Sequence, residues 1–173
     1  MTPDALTDSL TRPWAHGEHA ELAGASFDAP VVLDDKVLRS FDLTGARFGA
    51  GLSAQRAVFR GMAWLHRAEV TGKVDLSDAV FRSDLRMDGL VCDTLILSGA
   101  EFQGVLTLDR ARIGTLIARD CICLANLSLA GARITGHADF SGSEVLGGAW
   151  ADGAELHALE QVGMVVDGRR TGL

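Results

Sequence analysis

An all-β solenoid is the fold this sequence predicts, and three observations predict it. Small or apolar residues recur in steps of ten or eleven at Ala15, Ala25, Ala46, Ala57, Ala68, Ala79, Gly89, Ala100, Ala111, Cys121, Ala132, Ser143 and Ala154, with Lys36 as the term between Ala25 and Ala46. Within each unit the apolar residues keep period two, as in Ala100/Phe102 and Leu106/Leu108. That is strand spacing, because alternate side chains of a strand point to opposite faces. The three-and-four spacing of an amphipathic helix is missing from the body of the chain. A short fixed period means that each unit buries its apolar face only against its neighbours.

The elements follow in order. Residues 1–14 read as a cap. Thr2-Pro3-Asp4 is a helix start, with Thr as the capping residue and Pro at the first helical position. Leu6 and Leu10 would share a face and Pro13 would stop the segment, so a helix is expected over 3–11, covering the open strand edges of the first coil. Residues 15–158 form the repeat. Two units make a four-edged coil of twenty-one or twenty-two residues, and about seven coils at strand spacing give a rod of roughly 34 Å. Phe59, Phe81, Phe102, Cys123 and Val145 are expected in one inward column, with Phe48, Val70, Val91, Ile113 and Ile134 opposite. Turn-tolerant pairs such as Ser98-Gly99 and Ser141-Gly142 fall at corners. Lys36 occupies an inward slot, which is costly for a charge, so an irregular coil is expected there. The tail, 159–173, carries Val162, Met164, Val165 and Val166 and either covers the last coil or pairs with a second copy.

Units such as Ala46-Arg-Phe48-Gly-Ala, Ala79-Val-Phe81-Arg-Ser, Ala100-Glu-Phe102-Gln-Gly and Ala132-Arg-Ile134-Thr-Gly resemble the pentapeptide-repeat family. The resemblance runs from residue 15 through 158, and the extra residue in most alternate units is similar to the family's eleven-residue variant. It implies a right-handed quadrilateral parallel β-helix, a hand that spacing cannot give. It also implies a non-enzymatic binding protein, dimeric through its C-terminal end; direct binding to nucleic acid or to a membrane is not expected. Related quinolone-resistance proteins act on DNA gyrase by imitating a DNA duplex. The resemblance therefore points to topoisomerase modulation and antibiotic self-resistance.

Charge bears on that reading. The chain of 173 residues carries a formal net charge of −7. Residues 1–45 hold eight acids and three bases, whereas 46–157 hold thirteen and eleven. The rod is nearly neutral, with Arg47, Arg60, Arg82, Arg112 and Arg133 at outward positions. A duplex mimic needs an extended acidic field, and Asp75, Asp88, Asp109, Asp139 and Asp152 are the residues that could make one side acidic; a mixed solvated surface is the other reading. The start of the chain lacks a basic and apolar leader, and no apolar run approaches the length of a membrane span. Three Cys in such a chain suggest reduced thiols and a cytoplasmic location.

Candidate sites are few. His66, Asp88 and Asp109 share an outward column on successive coils, and a His–carboxylate pair suits general acid–base chemistry. A convex surface offers no enclosing walls, so the trio is read first as solvated. An enzyme or small-ligand binder of a biosynthetic pathway, with its site at a dimer groove or terminal cap, stays open as the alternative. His16 and His19, beside Glu18 and Glu21, lack the second ligand pair that a structural metal site needs. No metal or cofactor is expected. Cys121 and Cys123 fall in inward slots as inert thiols, while Cys92 falls outward as the reactive one. Ile117, Ile122, Leu124, Leu146 and Trp150 fall at outward positions and form the expected interface, since exposed apolar clusters mark association surfaces. Trp64 with Val58 and Val80 suggests a second stripe. A one-residue slip in register would turn all of these inward.

Overall fold

The computed structural model describes residues 1–15 and 17–173; the reading of His16 falls outside them. From Ala20 the chain winds through short parallel strands, most of two residues, that stack coil upon coil. Face one begins at Ala20–Glu21 and Phe41–Asp42 and ends at Arg170–Thr171, eight strands in all. Face two runs from Ser26–Phe27 to Glu155–Leu156, and face three from Val31–Val32 to Leu159–Glu160. These two share the longer strands Glu69–Asp75, Val91–Ile96 and Arg112–Ile117, which round the corner between them. Face four runs from Val37–Leu38 to Val165–Val166, seven strands. The molecule is thus a four-sided parallel β-solenoid of about seven coils.

Period two drives this shape. Along each edge one side chain enters the tube and the next leaves it, so every inward residue meets its counterparts one coil above and below. Leu38, Phe59, Phe81, Phe102, Cys123 and Val145 form the inward column of face four and are all buried. Phe59 and Phe81 stack with ring centroids 4.2 Å apart, and Phe81 and Phe102 at 5.1 Å. Opposite them stand Phe27, Phe48, Val70, Cys92, Ile113 and Ile134. Each such side chain contributes about 1.5–3 kcal/mol through burial. Ser143, the polar member of a small-residue column, donates to the Ala118 carbonyl at 2.5 Å and accepts from the Cys121 N–H at 3.0 Å. Its burial is therefore compensated.

One rung differs from expectation. Gly89 is a corner residue at φ +70°, equivalent to Arg67 and Arg110, which also hold positive φ. Leu90 takes the inward slot, Val91 points out and Cys92 points in. Spacings of ten and eleven both occur, so Gly89 and Leu90 were equally allowed by count, and small size favoured the wrong one. The extra residue of that coil is absorbed further on, where the register shifts between Val70 and Lys73.

The ends also sort themselves out. A helix spans Pro3–Thr11, with the Thr2 hydroxyl accepting from the Ala5 N–H at 3.2 Å. Leu6 and Leu10 are fully buried against the first coil, and the Leu10 carbonyl accepts from the Arg39 N–H at 3.0 Å. Lys36 does not distort its coil: its N–H makes the regular corner bond to the Leu33 carbonyl at 3.3 Å. Its side chain is exposed because face four starts there, with no coil beneath the slot. The tail neither folds over the last coil nor leaves it. Leu159–Glu160, Val165–Val166 and Arg170–Thr171 add one further strand each to faces three, four and one.

Candidate functional site

Face four carries the most distinctive surface. Its first outward column runs Val37, Val58, Val80, Glu101, Ile122, Glu144 and Val165, fixed by the in-register pairing of successive strands. Two residues further along each strand a second column runs Arg39, Arg60, Arg82, Gln103, Leu124, Leu146 and Asp167. Ile122, Leu124 and Leu146 keep 42%, 45% and 46% of their surface exposed, and Val165 beside them keeps 49%. Adjacent rungs lie one strand spacing apart, so these side chains form one apolar patch at the C-terminal half of the face. At the N-terminal half, Arg39, Arg60 and Arg82 line the valine column, and among the described residues none of the three forms an ion pair with a carboxylate.

Of the five residues expected at the interface, three are therefore brought together. Ile117 lies half-buried on face three, paired in register with Ile96 and Asp139. Trp150 lies on face one between Ser128 and Thr171. Trp64 is likewise on face one, away from Val58 and Val80. Alternation assigns a residue to the outside but does not say which of four outsides. The arginine column was missed, although a signal existed: Val37-Leu38-Arg39, Val58-Phe59-Arg60 and Val80-Phe81-Arg82 are one triplet repeated once per coil.

His66 and Asp88 do meet. His66 Nδ1 lies 2.9 Å from Asp88 Oδ2, which also accepts from the Thr107 hydroxyl at 2.9 Å. They line an open depression of about 480 Å³ together with Thr44, Arg67, Gly89 and Arg110. Asp109 does not join them; its carboxylate accepts from the Ser128 hydroxyl and the Ala130 N–H. His19 pairs with Glu21 at 2.7 Å near the edge of Trp64.

The five aspartates expected to make an acidic side are dispersed and engaged. Asp75 and Asp139 are buried on face three, whereas Asp88, Asp109 and Asp152 stand at the corner between faces one and two. Asp109 and Asp152 each clamp a hydroxyl on the next coil, Ser128 and Thr171, as Asp88 clamps Thr107. Burial opposes ionisation of Asp75, yet the Ser77 hydroxyl and the Lys73 ammonium outweigh it and hold the carboxyl below its usual range. Burial also opposes ionisation of Asp139; Ser141 and Arg119 reverse it and hold that carboxyl at about 2.

The thiols are inert. Cys92 is buried rather than outward, a consequence of the Gly89 rung, and burial pushes its pKa up to about 12. Cys121 and Cys123 are buried as expected, and burial pushes both up to about 12. The thiolate is the reactive form, and none of the three presents it.

A four-sided parallel solenoid built on a ten-or-eleven-residue unit is the class that these coils define, and its strand register agrees with the pentapeptide-repeat resemblance of the sequence. No family model matches the chain, and no curated protein does. Among solved structures it is similar to HetL, a pentapeptide repeat protein involved in heterocyst differentiation regulation from the cyanobacterium Nostoc sp. strain PCC 7120, with 15% identity, 87% of this chain and 86% of that chain covered, and a TM-score of 0.24. The fold assignment rests on the chain's own coils. Among the described residues no helix is long and apolar enough to cross a membrane.

Proposed function

We propose that the chain is a non-enzymatic binding protein that docks another protein along face four. The observation that carries this reading is the strip just described, an exposed apolar patch separated by the single Glu101/Gln103 rung from a ladder of arginines that pair with no carboxylate among the described residues. Exposed apolar patches favour association, and uncompensated arginines at a rim steer and orient an acidic partner. The complementary surface offers apolar side chains opposite Ile122, Leu124 and Leu146, and carboxylates opposite Arg60 and Arg82.

DNA gyrase is the partner that the repeat resemblance puts first, in a self-resistance role. Docking through face four, rather than imitation of duplex charge, is the mode supported by the surface, because many of the rod's carboxylates are taken up by cations and coil-to-coil clamps. The direct test is gyrase supercoiling with and without a quinolone, comparing the wild type with a Leu124→Asp/Leu146→Asp variant. Protection lost in the variant supports the reading. No effect of the wild type at micromolar concentration, or equal effects of both proteins, removes it.

A second copy is the partner proposed for the C-terminal end. Leu156, Leu159, Met164, Val166 and Leu173 are only half-buried there, on or beside terminal strands with no further neighbour among the described residues. Sedimentation equilibrium of Leu159→Asp against wild type tests it, and a wild-type monomer would exclude it. The enzyme alternative is favoured by one observation, the His66–Asp88 pair in its depression. A turnover lost in His66→Ala would promote it.

A further inference from the structure

Face three holds a cluster that neither the docking strip nor the coil clamps account for. His137 immediately precedes the strand Ala138–Asp139, two residues before Asp139, and the two side chains lie close together. Asp139 pairs in register with Glu160 on the next coil, which sets the two carboxylates about one strand spacing apart. His137 Nε2 lies 3.8 Å from Asp139 Oδ2 and 4.0 Å from Glu160 Oε1, and the three donor atoms fall within 4.8 Å of one another.

Those separations are too long for hydrogen bonds, and among the described residues the His137 side chain makes none. They suit a single bridging ion instead. Tetrahedral bonds of about 2.0–2.2 Å from a metal to imidazole nitrogen and carboxylate oxygen set donor atoms roughly 3.3–3.6 Å apart, so the ligand atoms need draw in by only a few tenths of an ångström to about 1 Å. His137 and Glu160 are exposed enough, at 34% and 54% of their side chains, to close the remaining gap by rotamer adjustment. Asp139 is the fixed member. Its side chain is fully buried, its Oδ1 accepts from the Ser141 N–H at 2.9 Å, and Arg119 donates to Oδ2. A carboxylate oxygen carries two lone pairs, so Arg119 occupies one and acts as the outer partner that orients a ligand.

We propose that His137 Nε2, Asp139 Oδ2 and Glu160 Oε1 bind one divalent transition-metal ion of the zinc class. Two carboxylates, one of them shared with the Arg119 guanidinium, supply negative charge to the ion beside a neutral imidazole, and mixed nitrogen and oxygen donors suit zinc or its first-row neighbours over calcium or magnesium. Three protein ligands leave a fourth position for water or for a group from a partner. The ion ties the penultimate coil of face three to the last one, so it stabilises the C-terminal end of the solenoid.

The test is calorimetric titration of the metal-free protein with zinc chloride, paired with the thermal midpoint with and without zinc. One equivalent of zinc is expected to bind and to raise the midpoint. His137→Ala and Glu160→Gln are each expected to weaken binding by at least about tenfold and to cancel the rise. Both side chains are partly exposed, so the variants are expected to fold, which circular dichroism checks. His19→Ala is expected to bind as the wild type does. No binding by the wild type, binding that survives both substitutions, or equal loss in His19→Ala would overturn the assignment.

Discussion

Phe59 and Phe81 lie ring on ring, 21 to 22 residues being one coil of the solenoid, with centroids 4.2 Å apart and planes inclined by 13°. Phe102 continues the stack at 5.1 Å from Phe81. The middle ring thus touches an aromatic neighbour on both sides inside a tube that offers it no other place.

Phe81→Ala is therefore expected to destabilise the protein by about 3–5 kcal/mol, the range for deleting a buried aromatic ring. Urea unfolding followed by far-ultraviolet circular dichroism measures it. A loss below about 1 kcal/mol would mean that the coils close over the cavity.

Gly104 faces the coil before it at close quarters. A methyl group there would sit 2.4 Å from the Ser83 carbonyl carbon and 2.5 Å from the Asp84 nitrogen, backbone atoms that cannot step aside. Gly104→Ala is expected to cost at least about 3 kcal/mol, the upper end of overpacking. Gly153→Ala, at φ +70° with open space around it, is expected to cost only about 1 kcal/mol of backbone strain. Thermal melts of the two variants side by side test the contrast.

Acid sensitivity follows from Asp139 and Asp75. Both carboxyls are held below their ordinary values in the folded chain, Asp139 at about 2. As pH falls, the unfolded chain takes up these protons first, near its ordinary carboxyl pKa of about 3.9. Their contribution is thus complete above that value and is lost as pH falls below it, for Asp139 between about pH 4 and pH 2. In Asp139→Asn the dependence of unfolding free energy on pH in that window is expected to be shallower by up to one proton, about 1.4 kcal/mol per pH unit. Urea midpoints taken across the window read it, and an unchanged slope would contradict it.

The thiols supply a further check. Cys92, Cys121 and Cys123 are all buried, with pKa values raised to about 12. A thiol-disulfide reagent at pH 8 is expected to label none of them in the native protein and all three after denaturation. Rapid native labelling of Cys92 alone would restore the outward rung that spacing suggested.

Leu124→Asp/Leu146→Asp removes apolar surface that is already exposed, so it is expected to shift stability by no more than about 0.5 kcal/mol. Thermal unfolding tests this, and it makes the same variant a clean probe of docking in the supercoiling assay.

Much of the architecture was legible because a solenoid is read one unit at a time. Ala79 and Phe81 declare their inward pointing locally, and a neighbouring copy repeats the statement. Thr2 and Pro3 marked the helix start in the same way, and Cys121 and Cys123 could be placed by counting. Gly89 was misread because steps of ten and eleven are both permitted and only the strand pairing of Val70 with Cys92 decides between them. The binding surface was half legible: Ile122, Leu124 and Leu146 were placed outside, but so were Ile117 and Trp150, which face other directions. Asp139 was named only as an acidic surface residue, and its grouping with His137 and Glu160 was passed over because the last of them lies a full coil away, beyond any local motif.

The amino-acid order by itself determined that this chain is a stacked β-tube with a helical N-terminal cap, since period-two alternation and a fixed unit length are local properties. Only the tertiary structure decided which outward residues become neighbours. Side chains on one face are separated by a whole turn of chain and meet through inter-coil hydrogen bonding, so a one-residue shift at a single corner changes every partner beyond it. That is why most of the inward columns were predictable and the arginine ladder left a repeated triplet in the sequence, while the apolar patch and the His137–Asp139–Glu160 cluster emerged from the coil register alone.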